Sequence, residues 1–166
     1  MDARADLRDA VKRNLVADVA RSFGQVRLKV TGTSMLPAVF PGDVLTVSRC
    51  SGAELCAGQI ILCFRGGALV AHRLVRKTGG QFLTRGDSLY NFDRPFHEHE
   101  ILGRAVSIMR NGRQVDWNSA WWHGAACFLL RRSELCVRLL LRWKRLVESH
   151  RPLPAKAAGE RMVVKV

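Results

Sequence analysis

Two periodicities divide the chain into three parts. Over residues 4–23 the apolar positions Leu7, Val11, Leu15, Val16, Val19 and Phe23 recur at helical spacing with charges between them. That pattern predicts an amphipathic helix, and Gly24 is its natural stop. At Gln25 the period drops to two. Val26, Leu28 and Val30 alternate with Arg27 and Lys29, as in a strand with one buried face. Further strands are expected at Val44–Ser48, 59–65, 68–77, Gln81–Arg85 and Ile101–Arg110. Gly66-Gly67 and Gly79-Gly80 stand between successive strands as hairpin turns. Asn111-Gly112 predicts that residues 113–117 fold back on the strand before them. No internal repeat is visible.

Helical spacing returns over residues 119–148. Arg131, Glu134, Arg138, Arg142 and Arg145 fall on one narrow stripe at about 100° per residue. Phe128, Leu129, Leu135, Cys136, Leu139, Leu140, Trp143, Leu146 and Val147 cover much of the rest, an apolar arc wider than a surface helix needs. The last segment holds Pro152, Pro154, Ala155, Ala157 and Ala158 and reads as a mobile tail. The expected fold is therefore mainly β. A compact β domain over 25–117 is flanked by amphipathic helices, within 1–24 at one end and 118–148 at the other, with a flexible tail over 149–166.

The hydrophobic content of 48% suffices for a packed core in one domain of this size. The net charge of +13 changes the picture more, because it attracts anionic surfaces: lipid, nucleic acid or an acidic protein. No helix-turn-helix, zinc-finger or RNA-binding signature accompanies it, which disfavours nucleic acid. Trp117, Trp121 and Trp122 beside the basic helix suit a lipid interface or packing on the β domain equally well. The early charges Asp2, Arg4, Asp6, Arg8, Asp9, Lys12 and Arg13 leave no room for the apolar region of a secretory signal. The longest apolar-rich stretch, 117–130, is too short for the roughly 20 residues of a membrane span. A cytoplasmic chain, peripheral at a membrane through its basic helix, is the expectation.

Cys50, Cys56, Cys63, Cys127 and Cys136 are odd in number and include no Cys-x-x-Cys pair, so they read as reduced thiols rather than a zinc site. His97-Glu98-His99-Glu100 alternates as a metal-binding strand would. A solvated loop edge is the plainer reading, because one short segment supplies all the ligands. No metal or other cofactor is expected.

The chemistry concentrates between residues 32 and 93. Ser34 sits in Gly32-Thr33-Ser34-Met35-Leu36-Pro37, followed by Pro41-Gly42-Asp43. His72 lies mid-strand in Ala71-His72-Arg73, and Arg85-Gly86-Asp87 leads on to Asp93. A serine hydroxyl needs a base within hydrogen-bond reach, and a third group usually orients that base. An imidazole titrates near neutral pH and suits the task. On spacing alone, either Asp87 or Asp93 could hold its far nitrogen. Each residue also has a plainer use. Ser-Met-x-Pro and Gly-Asp make turns, and a single strand histidine is commonly structural.

In these segments the run from Val26 to Ile108 resembles the catalytic domain of type I signal peptidases, within the wider signal peptidase and self-cleaving-repressor superfamily. Ser34-Met35-Leu36-Pro37 matches the nucleophile box and Gly42-Asp43 the turn after it. Ala71-His72-Arg73 matches the box of the general base. Gly86-Asp87 with Asp93 matches the acidic box, and Ile101-Leu102-Gly103-Arg104-Ala105-Val106 the strand that ends the core. Histidine rather than lysine at the base position resembles the endoplasmic-reticulum type. The resemblance implies Ser34 as nucleophile, His72 as base, Asp93 as orienting carboxylate and Asp87 as a supporting one. It departs in lacking the membrane anchor of many members, and in having Gly32 where many carry a serine that assists the oxyanion hole.

A serine endopeptidase that cuts an extended leader or signal-like peptide after small residues is thus the first expectation. A peptide-binding module of the same fold is the second, gripping an extended segment by strand addition. A basic protein of membrane surfaces or nucleic acid is the third. Substrate identity and oligomeric state are not legible in the sequence.

Overall fold

The computed structural model describes residues 24–65 and 68–116, the segment Met162–Val164, and single positions towards the two ends: Val11, Asn14, Asp18, Ser22, Leu139, Leu141, Arg142 and Trp143. Those single positions have helical backbone. The two amphipathic helices as elements, the Gly66-Gly67 turn, Trp117 and the rest of the predicted tail lie outside the described residues.

The described chain is mainly β, one nine-stranded sheet. Its strands are β1 (Gln25–Val30), β2 (Val44–Ser48), β3 (Ile60–Arg65), β4 (Ala68–Thr78), β5 (Gln81–Arg85), β6 (Phe96–His97), β7 (Ile101–Arg110), β8 (Arg113–Val115) and β9 (Met162–Val164). The spatial order is β6-β5-β4-β3-β7-β2-β1-β9, with β8 paired to β7. Every described pairing is antiparallel except β1 with β9, which is parallel. β9 falls inside the segment that composition alone marks as a mobile tail.

Alternation makes β1 and β2 what they are. Val26, Leu28 and Val30 turn inward with Leu45 and Val47, while Arg27 and Lys29 stay exposed. β3 breaks the alternation, because Ile60 to Cys63 are all buried. The strand is a wall between two cores. Ile60 and Leu62 pack with Leu28, Leu45, Val47 and Ile108 on one side. Ile61 and Cys63 pack with Leu55, Leu74, Phe82 and Phe96 on the other.

The tight connections follow from backbone chemistry. Asn111 and Gly112 adopt φ of 51° and 78° between Arg110 and its partner Arg113. Gly79 and Gly80 adopt 57° and 76° between Thr78 and Gln81. Two central residues of positive φ suit the right-handed twist of a two-residue hairpin.

The segment 31–43 is the excursion that matters for function. Reciprocal bonds close its base: Val30 N–H to Asp43 O at 2.9 Å and Gly42 N–H to Val30 O at 2.8 Å. Met35, Leu36, Ala38, Val39 and Phe40 are buried, so the loop is anchored as firmly as a strand. Asp43, 1% exposed, accepts the Phe40 N–H at 2.8 Å and the Arg110 guanidinium at 2.7 Å. Arg110 also donates to Ala38 O and covers the Phe40 ring at 4.4 Å. The loop is thereby tied to β7.

Candidate active site

Ser34 opens the anchored loop four residues after β1 ends. His72 comes from the middle of β4, paired with Ile61 of β3. Alternation sends Ala71 into the first core and His72 to the opposite face of the strand. The two residues meet there, with His72 Nε2 2.9 Å from Ser34 Oγ. The other ring nitrogen, Nδ1, lies 2.6 Å from Asp93 Oδ2. With Nδ1 carrying the proton for Asp93, Nε2 is left as acceptor for the serine hydroxyl. The ring is 6% exposed, so packing on both sides fixes its plane.

Asp93 is held by more than the imidazole. The Thr84 hydroxyl donates to the same Oδ2 at 2.6 Å, and Asp93 N–H bonds Thr84 O at 2.9 Å. Arg65 places Nη1 3.9 Å from Oδ2, while its Nη2 donates to Arg94 O. Burial pushes the Asp93 carboxyl up, but the hydrogen bonds from His72 and Thr84 and the charges of His72 and Arg65 outweigh it. Asp93 therefore ionises below the ordinary carboxylate range. It is a stable anion facing the ring.

Asp87 has other work. Arg73 grips it bidentately, Nε to Oδ1 at 2.8 Å and Nη2 to Oδ2 at 2.7 Å, and donates Nη1 to Gly58 O at 2.7 Å. Asp87 is 4% exposed, so this is a largely desolvated pair. It ties the acidic loop to β4 one residue beyond His72. Ser88 completes the connection: its N–H reaches Ser34 O at 2.9 Å, and its hydroxyl lies 2.9 Å from both Thr33 O and Ser34 O.

The structure thus brings Ser34, His72 and Asp93 into one hydrogen-bonded line and sets Asp87 beside it. Sequence reasoning passed over Thr84, Arg65 and Ser88. One signal was available for Thr84. It shares the inward face of β5 with Phe82, and a hydroxyl at a core position needs a partner.

The remaining candidate chemistry lies elsewhere. Cys50, Cys56 and Cys63 are free thiols. Burial pushes the Cys63 thiol up to about 12, which suppresses its thiolate form. Glu98–Glu100 is a single 3₁₀ turn in which Glu98 accepts the Gly52 N–H at 2.5 Å. Among the described residues no group of three or more His, Cys, Asp or Glu is arranged to hold a metal ion.

Comparison with known proteins fits this geometry. Residues 8–106, more than half of the chain, match the family model of Peptidase S24-like proteins. The chain belongs to the Peptidase S24-like family. Membership points broadly to a peptidase or a self-cleaving-repressor type of function. No curated protein matches the chain.

Proposed function

We propose that this Peptidase S24-like chain is a serine endopeptidase in which Ser34 attacks, His72 moves the proton and Asp93 orients the ring. The observation that carries the proposal is the line Ser34 Oγ to His72 Nε2 at 2.9 Å and His72 Nδ1 to Asp93 Oδ2 at 2.6 Å. Nothing in the packing of a β domain requires a serine, a histidine and an aspartate to align so.

The reaction follows from the proton positions. Ser34 Oγ bonds to the scissile carbonyl carbon as its proton passes to His72 Nε2. The imidazolium is stabilised by the Asp93 anion, which keeps its own negative charge. The Ser34 backbone N–H serves as an oxyanion donor for the tetrahedral intermediate. With Gly32 upstream, no hydroxyl is available from the position where many relatives carry one, and a missing donor costs about 100-fold or more. The imidazolium then returns its proton to the leaving amine as the C–N bond breaks. Water repeats the sequence on the acyl-enzyme, His72 taking its proton and Ser34 departing as the alcohol.

The resemblance to signal peptidases supports an extended leader-like or signal-like substrate cut after small residues. A peripheral site of action at an anionic membrane surface is part of the same proposal. Leu139 and Trp143, four apart on helical backbone, are 65% and 62% exposed, and the sequence pattern sets the Arg stripe beside them. A cytoplasmic setting goes with it. No helix of the described residues is long and apolar enough to cross a membrane.

Peptide cleavage by Ser34→Ala, His72→Ala and the double variant tests the catalytic reading. The two singles should each lose nearly all turnover, and the double should be little worse than either. Turnover at the parental rate in Ser34→Ala would refute it.

A further inference from the structure

β1 is the strand that delivers the nucleophile: Val30 ends it, and Ser34 follows within one turn of loop. Its outer edge is taken by β9. The register runs Leu28 with Met162, Lys29 with Val163 and Val30 with Val164. Because the pairing is parallel, β9 advances towards the nucleophile loop as β1 does. β9 also borders β4, the strand that carries His72. The segment therefore lies along the strand leading to Ser34 and beside the strand bearing the base. A peptide that presents a bond to Ser34 by pairing with either strand needs this same track.

We propose that Met162–Val164 is an internal competitor that occupies the peptide-docking edge of the site and must leave before substrate enters. The inference rests on the serine-peptidase reading of Ser34 and deepens it. Main-chain pairing with an exposed edge is tolerant of side chains, so the tail and a foreign extended peptide are alternative occupants. A tethered segment competes intramolecularly, at an effective concentration set by the length of its tether. If the tail is docked nine-tenths of the time, the apparent affinity for a free peptide falls about tenfold. A plain edge cover, protecting β1 from aggregation, predicts none of this competition.

The test uses the full chain and a full-length variant carrying Met162→Pro, Val163→Pro and Val164→Pro, since proline cannot donate to a strand ladder. Two reagents are compared: a small fluorophosphonate, and a hexapeptide ending in an alanyl phosphonate that must lie extended to reach Ser34. The small reagent should modify Ser34 at the same rate in both proteins. The peptidyl reagent should react about tenfold faster with the variant. A synthetic peptide of residues 161–166 should slow that reaction again. Equal rates of both reagents on both proteins, with no effect of the added peptide, would overturn the tail proposal and leave the serine reading intact. Failure of the small reagent on the parental chain would overturn both. A lowered melting temperature with unchanged peptidyl rates would mean that β9 is only an edge cover. Should the triple variant fail to fold, Val163→Pro alone is expected to give a smaller acceleration, and none would overturn the proposal.

Discussion

Gly86 lies against the backbone of Ser34: a Cβ built on Gly86 would stand 2.7 Å from the Ser34 carbonyl oxygen and 2.9 Å from the side chain of Leu89. Its φ is not in the left-handed region, so close approach and not conformation keeps this position bare. The same Ser34 carbonyl accepts the Ser88 N–H at 2.9 Å. The acidic loop and the nucleophile loop are thus in backbone contact, and neither can shift alone.

Gly86→Ala should therefore affect more than local packing. Overfilling this contact should cost about 1–3 kcal/mol of stability. It should also slow acylation of Ser34 by at least about tenfold, because relief of the clash moves the nucleophile's own backbone. Thermal melting and labelling rate, measured on one preparation, check both parts.

The two carboxylates should separate cleanly. Asp93→Asn keeps the shape but removes the anion facing His72 Nδ1, so turnover should fall by roughly 10⁴-fold with a modest change in melting temperature. Asp87→Asn leaves the Arg73 guanidinium without its carboxylate. Breaking a buried pair costs about 3–5 kcal/mol, and the cost here should be lower because the Arg73 side chain retains 21% exposure. Its main effect should be on stability. The opposite assignment of effects would reverse the roles given to the two residues.

Acid should reveal the environment of Asp93. Its carboxyl ionises below the ordinary value of 3.8 in the folded chain, so near that pH the unfolded chain binds more protons. The Asp93 contribution is complete above the unfolded value and is lost as pH falls through the lower folded value. Urea unfolding between about pH 5 and pH 2 should show that loss. Thr84→Val, which removes one hydrogen bond to Oδ2, should shrink it, and Asp93→Asn should abolish it. Turnover should fall on acidification for a separate reason, since His72 protonated at Nε2 cannot accept the serine proton.

The strands Val44–Ser48 and Gln81–Arg85 are legible in the sequence to the residue, because one-sided burial writes itself as local alternation. Ile101–Arg110 has the expected bounds too, although a bulge in its pairing with Val44–Ser48 breaks its alternation. β6 has two residues and carries no period. β9 is hidden among prolines and alanines, and what makes it a strand is pairing with β1 from the far end of the chain. The Arg110–Asp43 pair spans 67 positions and is equally invisible to local pattern. In the site, Ser34 and His72 stand out as residue types. The choice between Asp87 and Asp93 does not follow from spacing. It follows from strand geometry, since His72 and Arg73 are adjacent and face opposite ways, so each takes its own carboxylate.

Attachment to membranes should depend on residues 118–148 and on charge. The full chain should co-sediment with vesicles containing phosphatidylserine and release at high ionic strength, since basic residues near an anionic surface contribute about 1 kcal/mol each and are screened by salt. Neutral vesicles should bind less. Leu139→Glu with Trp143→Glu should reduce binding to the anionic vesicles without altering turnover of a soluble peptide. Equal binding by this double variant would argue against an apolar contact at these positions.

The most direct measurement is the intact mass of the protein after reaction with a serine-directed acylating reagent, followed by peptide mapping. One adduct at Ser34 is expected in the parental chain, lost in Ser34→Ala and strongly slowed in His72→Ala and Asp93→Asn. Adduct formation at Ser34 that proceeds equally fast without His72, or no adduct at Ser34 in the parental chain, would contradict the account.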